Sequence, residues 1–213
     1  MRRPRFIAAQ ARHATGPTGR LIAWIMARET RADNLRAIEA LDLQPLDNVL
    51  DIGTGHGAAL TKIASRVPGG VVTGLDPSQL MVEMALGRNA SLVRSGRVRV
   101  VNADVADLPF AAEAFDKVMA VHALYFWSNL GASLEEIARV LKPGGCLALV
   151  FRSASDERAV AAFPPSIYHF PTMPELEALI QTAGMTVRSI LTDVVNTQPG
   201  AVLVVASRGG LST

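Results

Sequence analysis

The chain has 213 residues, 21 of them basic and 19 acidic, for a net charge of +2, and 49% of it is hydrophobic. That length suits one α/β domain with a buried core and leaves little for a second, and the apolar runs fall short of the ~18 to 20 residues that a membrane-spanning helix needs. One cysteine, Cys146, excludes an internal disulfide and a zinc site built on cysteine clusters; with no secretory-signal layout in the opening residues, the expected location is cytoplasmic.

Charge is uneven along the chain. Residues 1–40 hold eight arginines against three acids, Glu29, Asp33 and Glu39, a local balance of +5. Such a segment suits peripheral contact with an anionic membrane surface, and it equally describes a solvated helical face. Residues 18–41 read as one or two helices with Leu21, Ile22, Trp24, Ile25, Leu35, Ile38 and Leu41 as the apolar positions. Residues 1–40 are expected to form a helical cover, part of the same domain as residues 41–213, lying over the acceptor more than over the cofactor.

From residue 49 onward, short β-branched runs alternate with amphipathic stretches, the pattern of crossover units around a parallel sheet. Strands are predicted at Asn48 to Ile52, Val71 to Leu75, Val98 to Val101, Lys117 to Val121 and Cys146 to Phe151. Helices are predicted near 58–67, 78–92 and 133–141, the last opened by a reciprocal cap between Ser133 and Glu136 and stopped by Lys142-Pro143-Gly144-Gly145. Thr172 with Glu175 caps a further helix that runs to about Ala183. Two more runs, Met185 to Leu191 and Ala201 to Ser207, have no room for a crossover helix between them and should pair antiparallel at the sheet edge. The fold class is therefore a doubly wound α/β sheet of seven strands, Rossmann-like, with an antiparallel C-terminal pair and an N-terminal helical cover.

The sharpest signal is Val49-Leu50-Asp51-Ile52-Gly53-Thr54-Gly55-His56-Gly57, a strand ending in an acid, then alternating glycines, then a helix. Glycines let the backbone approach a ligand that a Cβ would exclude, and a helix start offers unpaired amides. Gly53-x-Gly55-x-x-Ala58 also satisfies the looser dinucleotide fingerprint. Asp51 tips the balance, because a carboxylate beside the loop repels a pyrophosphate and suits a ligand carrying an ammonium group and a sulfonium. The second strand ends in Asp76, some twenty residues on, placed to accept from both hydroxyls of a ribose. After the third strand comes Asn102-Ala103-Asp104-Val105, where a carboxylate can accept from an adenine amine, with Leu108-Pro109-Phe110 closing that loop.

Together these motifs resemble the class I S-adenosylmethionine-dependent methyltransferases, in particular the small-molecule branch that includes the ubiquinone and menaquinone biosynthesis enzymes. The resemblance covers roughly residues 45–151. It implies that Asp51, Gly53 and Gly55 line the methionine end of S-adenosylmethionine, that Asp76 holds the ribose, and that Asp104 with Val105 binds the adenine. Thr54, His56, Pro77, Met81, Ala103 and Val121 complete the candidate cofactor set. Phe115-Asp116-Lys117-Val118 and Arg139 to Gly145 also look like later motifs of the family.

The fourth strand leads into His122-Ala123-Leu124-Tyr125-Phe126-Trp127, which the topology puts near the transferring methyl. His122 is the candidate general base, and Tyr125 or Trp127 can meet a sulfonium through the ring face. Candidate acceptor contacts are His13, Trp24, Trp127 and Tyr168, within an apolar wall drawn from Phe6, Ile7, Phe163, Ile167 and Phe170. The expected acceptor is a small or lipid-like molecule, among them a phospholipid headgroup or a quinone precursor at the membrane surface, and no metal or nucleic-acid site is expected. A nicotinamide-dependent oxidoreductase would need a Tyr-x-x-x-Lys pair, whereas Tyr125 and Tyr168 are followed at the fourth position by Asn129 and Thr172. A cofactor-binding protein without turnover stays open on sequence, as does the oligomeric state.

Overall fold

The computed structural model describes residues 5–195 and 198–210, and of residues 5, 23, 24, 26–28, 194, 195, 198 and 199 the backbone alone. Five parallel strands, β1 (Val49–Ile52), β2 (Val72–Asp76), β3 (Val98–Asn102), β4 (Phe115–Val121) and β5 (Leu141–Phe151), are joined by β6 (Met185–Val195) and β7 (Gln198–Arg208). The sheet order is β3-β2-β1-β4-β5-β7-β6, and β7 runs antiparallel to both neighbours. Both the doubly wound class and the antiparallel edge pair are as expected from sequence.

Alternation along the strands feeds two apolar layers. Leu50, Ile52, Val118, Ala120, Leu147, Leu149 and Phe151 face one side, against α7 (Leu130–Val140) and α9 (Met173–Thr182). Val49, Met119, Ala148 and Val150 face the other, against α3 (Arg31–Ala40), α4 (Leu60–Arg66) and α5 (Gln79–Arg88). Burial on both faces explains why β1 and β2 lack the apolar–polar alternation of a half-exposed strand, every residue of both being buried, with Asp51 and Asp76 at their carboxyl ends. Ahead of the sheet, α1 (Arg5–Arg12) and α2 (Gly16–Glu29) precede α3, which packs across β4, β5 and β7. The remaining α-helices among the described residues are α6 (Ala90–Arg94) and α8 (Glu157–Ala162), and Leu124–Phe126 form a single 3-10 turn.

Three helix boundaries differ from expectation. The stretch 78–92 is broken at Asn89, whose amide donates to the carbonyls of Gly57 and Ala85 and accepts from Thr61; this tie to the glycine loop outweighs continuation of the helix. α7 opens at Leu130, capped by Asn129 accepting from Ala132 N–H. The predicted Ser133–Glu136 cap does not form, because Ser133 donates to the Asn129 carbonyl and Glu136 pairs with Arg139. The segment 58–59 belongs to the turn before α4. Both halves of the Thr172–Glu175 box are present.

Candidate active site

Progression along the sheet reverses between β1 and β4, and a cavity of about 460 Å³ opens at the carboxyl ends of the strands there, where doubly wound sheets bind ligands. The glycine loop leaves β1 with Gly53 N–H and Thr54 N–H both donating to the Leu75 carbonyl. Gly53 has φ +73°, and a Cβ on it would come within 2.6 Å of the Ala123 methyl. Gly55, at φ +55°, has nothing within 4 Å of its missing Cβ, so its backbone fronts open space.

Two carboxylates share this floor. Asp51 is 3% exposed and accepts from the Thr54 hydroxyl at 2.7 Å. Burial pushes its pKa up to about 6 against the pull of that hydrogen bond, and the negative charge of Asp76 adds to the rise. Asp76 accepts from Gly55 N–H and Ser78 N–H, each at 2.9 Å. Burial raises it too, with those amides and His13 holding it down. Two buried acids whose hydrogen bonds come from amides and a hydroxyl make a site for a cation, and they disfavour a pyrophosphate.

Of the sequence candidates, Asp51, Gly53, Thr54, Gly55, His56, Asp76, Pro77, Met81, Asp104, Val105, Val121, His122, His13 and Trp127 all line the cavity. His56 is buried, and burial together with Arg88 lowers its pKa. Ala103 is not on the wall; it packs against the apolar core. Leu108 to Phe110 do not line the cavity; Leu108 and Phe110 pack into the apolar core. Leu108 N–H donates to Glu136, and Arg139 donates to the Leu108 and Phe110 carbonyls, fixing the segment to α7.

The aromatic candidates divide. Tyr168 is 6% exposed and stacks within a cluster of Tyr125, Phe126, Phe163 and Phe170, away from the cavity wall. Phe163, Ile167 and Phe170 are core packing, Phe6 is exposed, and the Trp24 side chain lies outside the described residues.

Tyr125 is 5% exposed and does not reach the cavity; its contact with it is through His122. Its hydroxyl accepts from Arg152 N–H at 2.5 Å and meets His122 Nδ1 at 2.9 Å. Asp33 on α3 meets His122 Nε2 at 2.7 Å. A carboxylate only accepts, so Nε2–H donates to Asp33 and the Tyr125 hydroxyl donates to Nδ1, which satisfies every group. Burial opposes ionisation of Asp33, but His122 and Arg36 together hold its pKa below the ordinary carboxylate value. His122 lines the cavity at φ +53°, yet both its nitrogens are occupied. The general-base role expected from sequence would need the Tyr125 hydroxyl to give up its bond to Nδ1.

The N-terminal cover is more intimate with the floor than expected. Gln10 to Ala14, Thr30 and Asn34 share the cavity lining with Asp76 and Ser78, and the Ser78 hydroxyl donates to the Ala14 carbonyl. Sequence reasoning missed Arg12, Thr30, Asn34 and Asp33 as site residues. Arg12, Asn34 and Asp33 sit on helices and Thr30 at the N-cap of α3, none within a motif, and only the packing of α1 and α3 brings them here.

The family model of the methyltransferase domain matches residues 50–149. A demethylmenaquinone methyltransferase of Thermus thermophilus is 30% identical over 180 residues, covering 72% of this chain and 80% of that protein. The ubiquinone/menaquinone biosynthesis C-methyltransferase UbiE of Geotalea daltonii is 34% identical over 110 residues, 51% of this chain and 47% of that protein. The chain thus spans about half the length of several curated relatives that it matches. A crystal structure of a SAM-dependent methyltransferase from Aquifex aeolicus superposes with a TM-score of 0.68 at 24% identity, covering 82% of this chain and 89% of that one, a likeness of fold.

Proposed function

Because this chain belongs to the methyltransferase domain family, we propose that it is an S-adenosylmethionine-dependent methyltransferase with a small or lipid-like acceptor. The observation that carries this reading is the pair of buried carboxylates, Asp51 and Asp76, around a glycine loop with open space before it.

Bound there, S-adenosylmethionine supplies a methyl group on a positively charged sulfur. Asp51 would face its ammonium group, Asp76 its ribose hydroxyls, and Asp104 with Val105 its adenine. Displacement at that methyl releases a neutral thioether, which needs no proton from the protein. The residues therefore have to align the acceptor and keep water out, and alignment alone supplies on the order of 7 to 11 kcal/mol. Phe126, Trp127 and Ala123 give the wall its apolar character.

The finer parts of the reading rest on composition. The exposed Phe6 and Leu21, beside the exposed Arg12 and Arg20, support peripheral contact with an anionic membrane and an acceptor such as a quinone precursor or a phospholipid headgroup. A lone unpaired Cys146 agrees with a cytoplasmic setting. No helix among the described residues is long and apolar enough to cross a membrane.

Calorimetric titration with S-adenosylhomocysteine and, separately, with NADH tests the cofactor class. Saturable binding of the first alone is the expected result. Binding of NADH alone would return the glycine loop to the dinucleotide reading.

A further inference from the structure

Among the described residues β6 is an outer strand of the sheet, paired with β7 on one side only. An edge strand presents a row of backbone donors and acceptors to whatever approaches it, and edges built to stay unpaired carry lysine, proline or inward charge at their middle. The middle of this one carries Ile190 and Leu191, 39% and 57% exposed. Ser189 to Thr192 pair regularly with Val205 to Val202, between register shifts on either side, at Val187/Ser189 and at Thr192/Val194.

The two shifts decide where the charges of the strand fall. Residues directly opposite one another share a face of the sheet, which puts Leu191, opposite Leu203, on the face that α3 covers. Arg188 Nε donates to the Ser207 hydroxyl at 2.7 Å, and Ser207 lies two residues beyond Val205 of that same face. Asp193 accepts from Arg36 of α3 at 2.5 Å. In an uninterrupted strand, positions 188 and 193 face opposite ways because their separation is odd. The irregularities bring both charges to the side of Leu191, one at each end of the regular stretch.

We propose that β6 is the contact between two copies of this chain, paired antiparallel about a two-fold axis near Ile190 and Leu191 so that the two sheets become one. An axis perpendicular to the sheet reverses the strand and keeps the α3 faces of both copies on the same side. The Arg188 end of each β6 then lies beside the Asp193 end of the other, with Leu191 beside Leu191 of the partner subunit. Arg188 has N–H donors beyond the Nε used on Ser207, and Asp193 is 43% exposed, open to a second guanidinium. A second copy is the occupant because the strand is complementary to itself: an arginine at one end answers an aspartate at the other. A parallel partner strand would set like charges together. Pairing about a two-fold axis also uses both β6 edges and closes the assembly at two chains. Arg36 binds Asp33 as well as Asp193, and Asp33 holds His122, so charged groups join this contact to the cavity wall.

Sedimentation equilibrium of the full chain tests the pairing, and the expected species is a dimer that dissociates on dilution. Arg188→Asp sets acids at both ends of the contact, and Asp193→Arg sets arginines at both. Each variant alone should dissociate about tenfold more readily or worse, because like charges then meet across the axis. Mixed in equal amounts, the two should recover the dimer as one chain of each, since acid again meets arginine at both ends. Leu191→Lys, at an exposed position, should give a monomer with an unchanged far-UV circular dichroism spectrum. Asp193→Arg also gives up the bond to Arg36; should it fail to fold, Arg188→Asp and Leu191→Lys still decide the question.

A wild-type chain that sediments as a monomer at every attainable concentration would overturn the proposal. So would a dimer that both charge reversals and Leu191→Lys leave intact, which would move the contact to another face, such as the exposed Leu21 and Ile25 of α2. If the two charge-reversed chains, both folded, associate no better together than apart, the antiparallel pairing of β6 falls as well.

Discussion

The hydroxyl of Ser78 donates to the carbonyl oxygen of Ala14 at 2.7 Å, with both residues buried. This bond fastens the segment after α1 to the start of α5, two residues beyond Asp76. Deleting residues 1–20 is therefore expected to lower S-adenosylhomocysteine affinity and methyl transfer together. Ser78→Ala should destabilise the fold by about 1 to 3 kcal/mol, since it strands a buried carbonyl and also removes the α5 cap. Urea denaturation and calorimetry read the two effects. Intact cofactor affinity in the truncated chain would confine the segment to the acceptor.

Asp51 sets a pH dependence whose sign differs between the free protein and the complex. Its folded pKa, about 6 against 3.8 in the unfolded chain, means that the folded state binds more protons between those values. Stability of the ligand-free protein should fall as pH rises from about 4 to 6, by an amount on the order of 3 kcal/mol, then level off. Asp76 is shifted in the same direction. S-adenosylhomocysteine, bringing an ammonium group, should bind more tightly above pH 6 than below it. Asp51→Asn should flatten both curves, and a melting temperature insensitive to pH across this window would contradict the assignment.

Tyr125→Phe removes the one group that satisfies both Arg152 N–H and His122 Nδ1. The expected loss of stability is about 1 to 3 kcal/mol, the range for stranding a buried polar partner. Since Tyr125 does not reach the cavity, KM for the cofactor should barely move, and any fall in kcat should come through reorientation of His122. A large rise in KM would place the hydroxyl in direct contact with ligand.

Gly53→Ala combines a left-handed backbone, φ +73°, with a Cβ placed 2.6 Å from the Ala123 methyl. Strain of roughly 1 to 3 kcal/mol is expected, together with displacement of the loop and at least tenfold weaker S-adenosylhomocysteine binding. Gly55→Ala keeps the strain of a left-handed backbone, φ +55°, but meets no neighbouring atom, so most of its loss of affinity should come from intrusion into the ligand's space, and its melting temperature should fall less than that of Gly53→Ala. Similar melting temperatures for the two variants would remove the distinction.

Much of this architecture could be read in the sequence because it depends on local rules. The parallel strands announced themselves by runs of Val, Leu and Ile, and Asp51, Gly53, Gly55 and Asp76 by spacing along a strand–loop–helix unit. The Thr172 cap was visible for the same reason. Where several groups compete for one partner, local rules gave the wrong answer. Ser133 took the backbone carbonyl of Asn129, one turn back, over its own capping role, and Asn89 took that of Gly57, 32 positions away, which nothing in neighbouring residues announces. Asp33 illustrates the limit most sharply. It lies 89 positions from His122, and nothing near it in the chain suggests that it would occupy the imidazole nitrogen expected to act as a base.

Among the described residues, two of the side-chain hydrogen bonds that fasten the N-terminal helices, Ser78 to Ala14 and His122 to Asp33, lie beside the glycine loop, while Arg36 to Asp193 ties α3 to β6 at the far edge. Ser78 follows β2 and His122 follows β4, the two strands flanking β1, so the fastenings stand roughly 10 Å apart at the ~4.8 Å spacing of strands, astride the glycine loop. A strap held at both banks can release one without unfolding any helix or strand. Exchange of spent cofactor for fresh is then expected to wait on that release, so that the first methyl transferred by each molecule is fast and those that follow keep the slower rhythm of the strap; a stopped-flow burst of one product per chain is its kinetic sign.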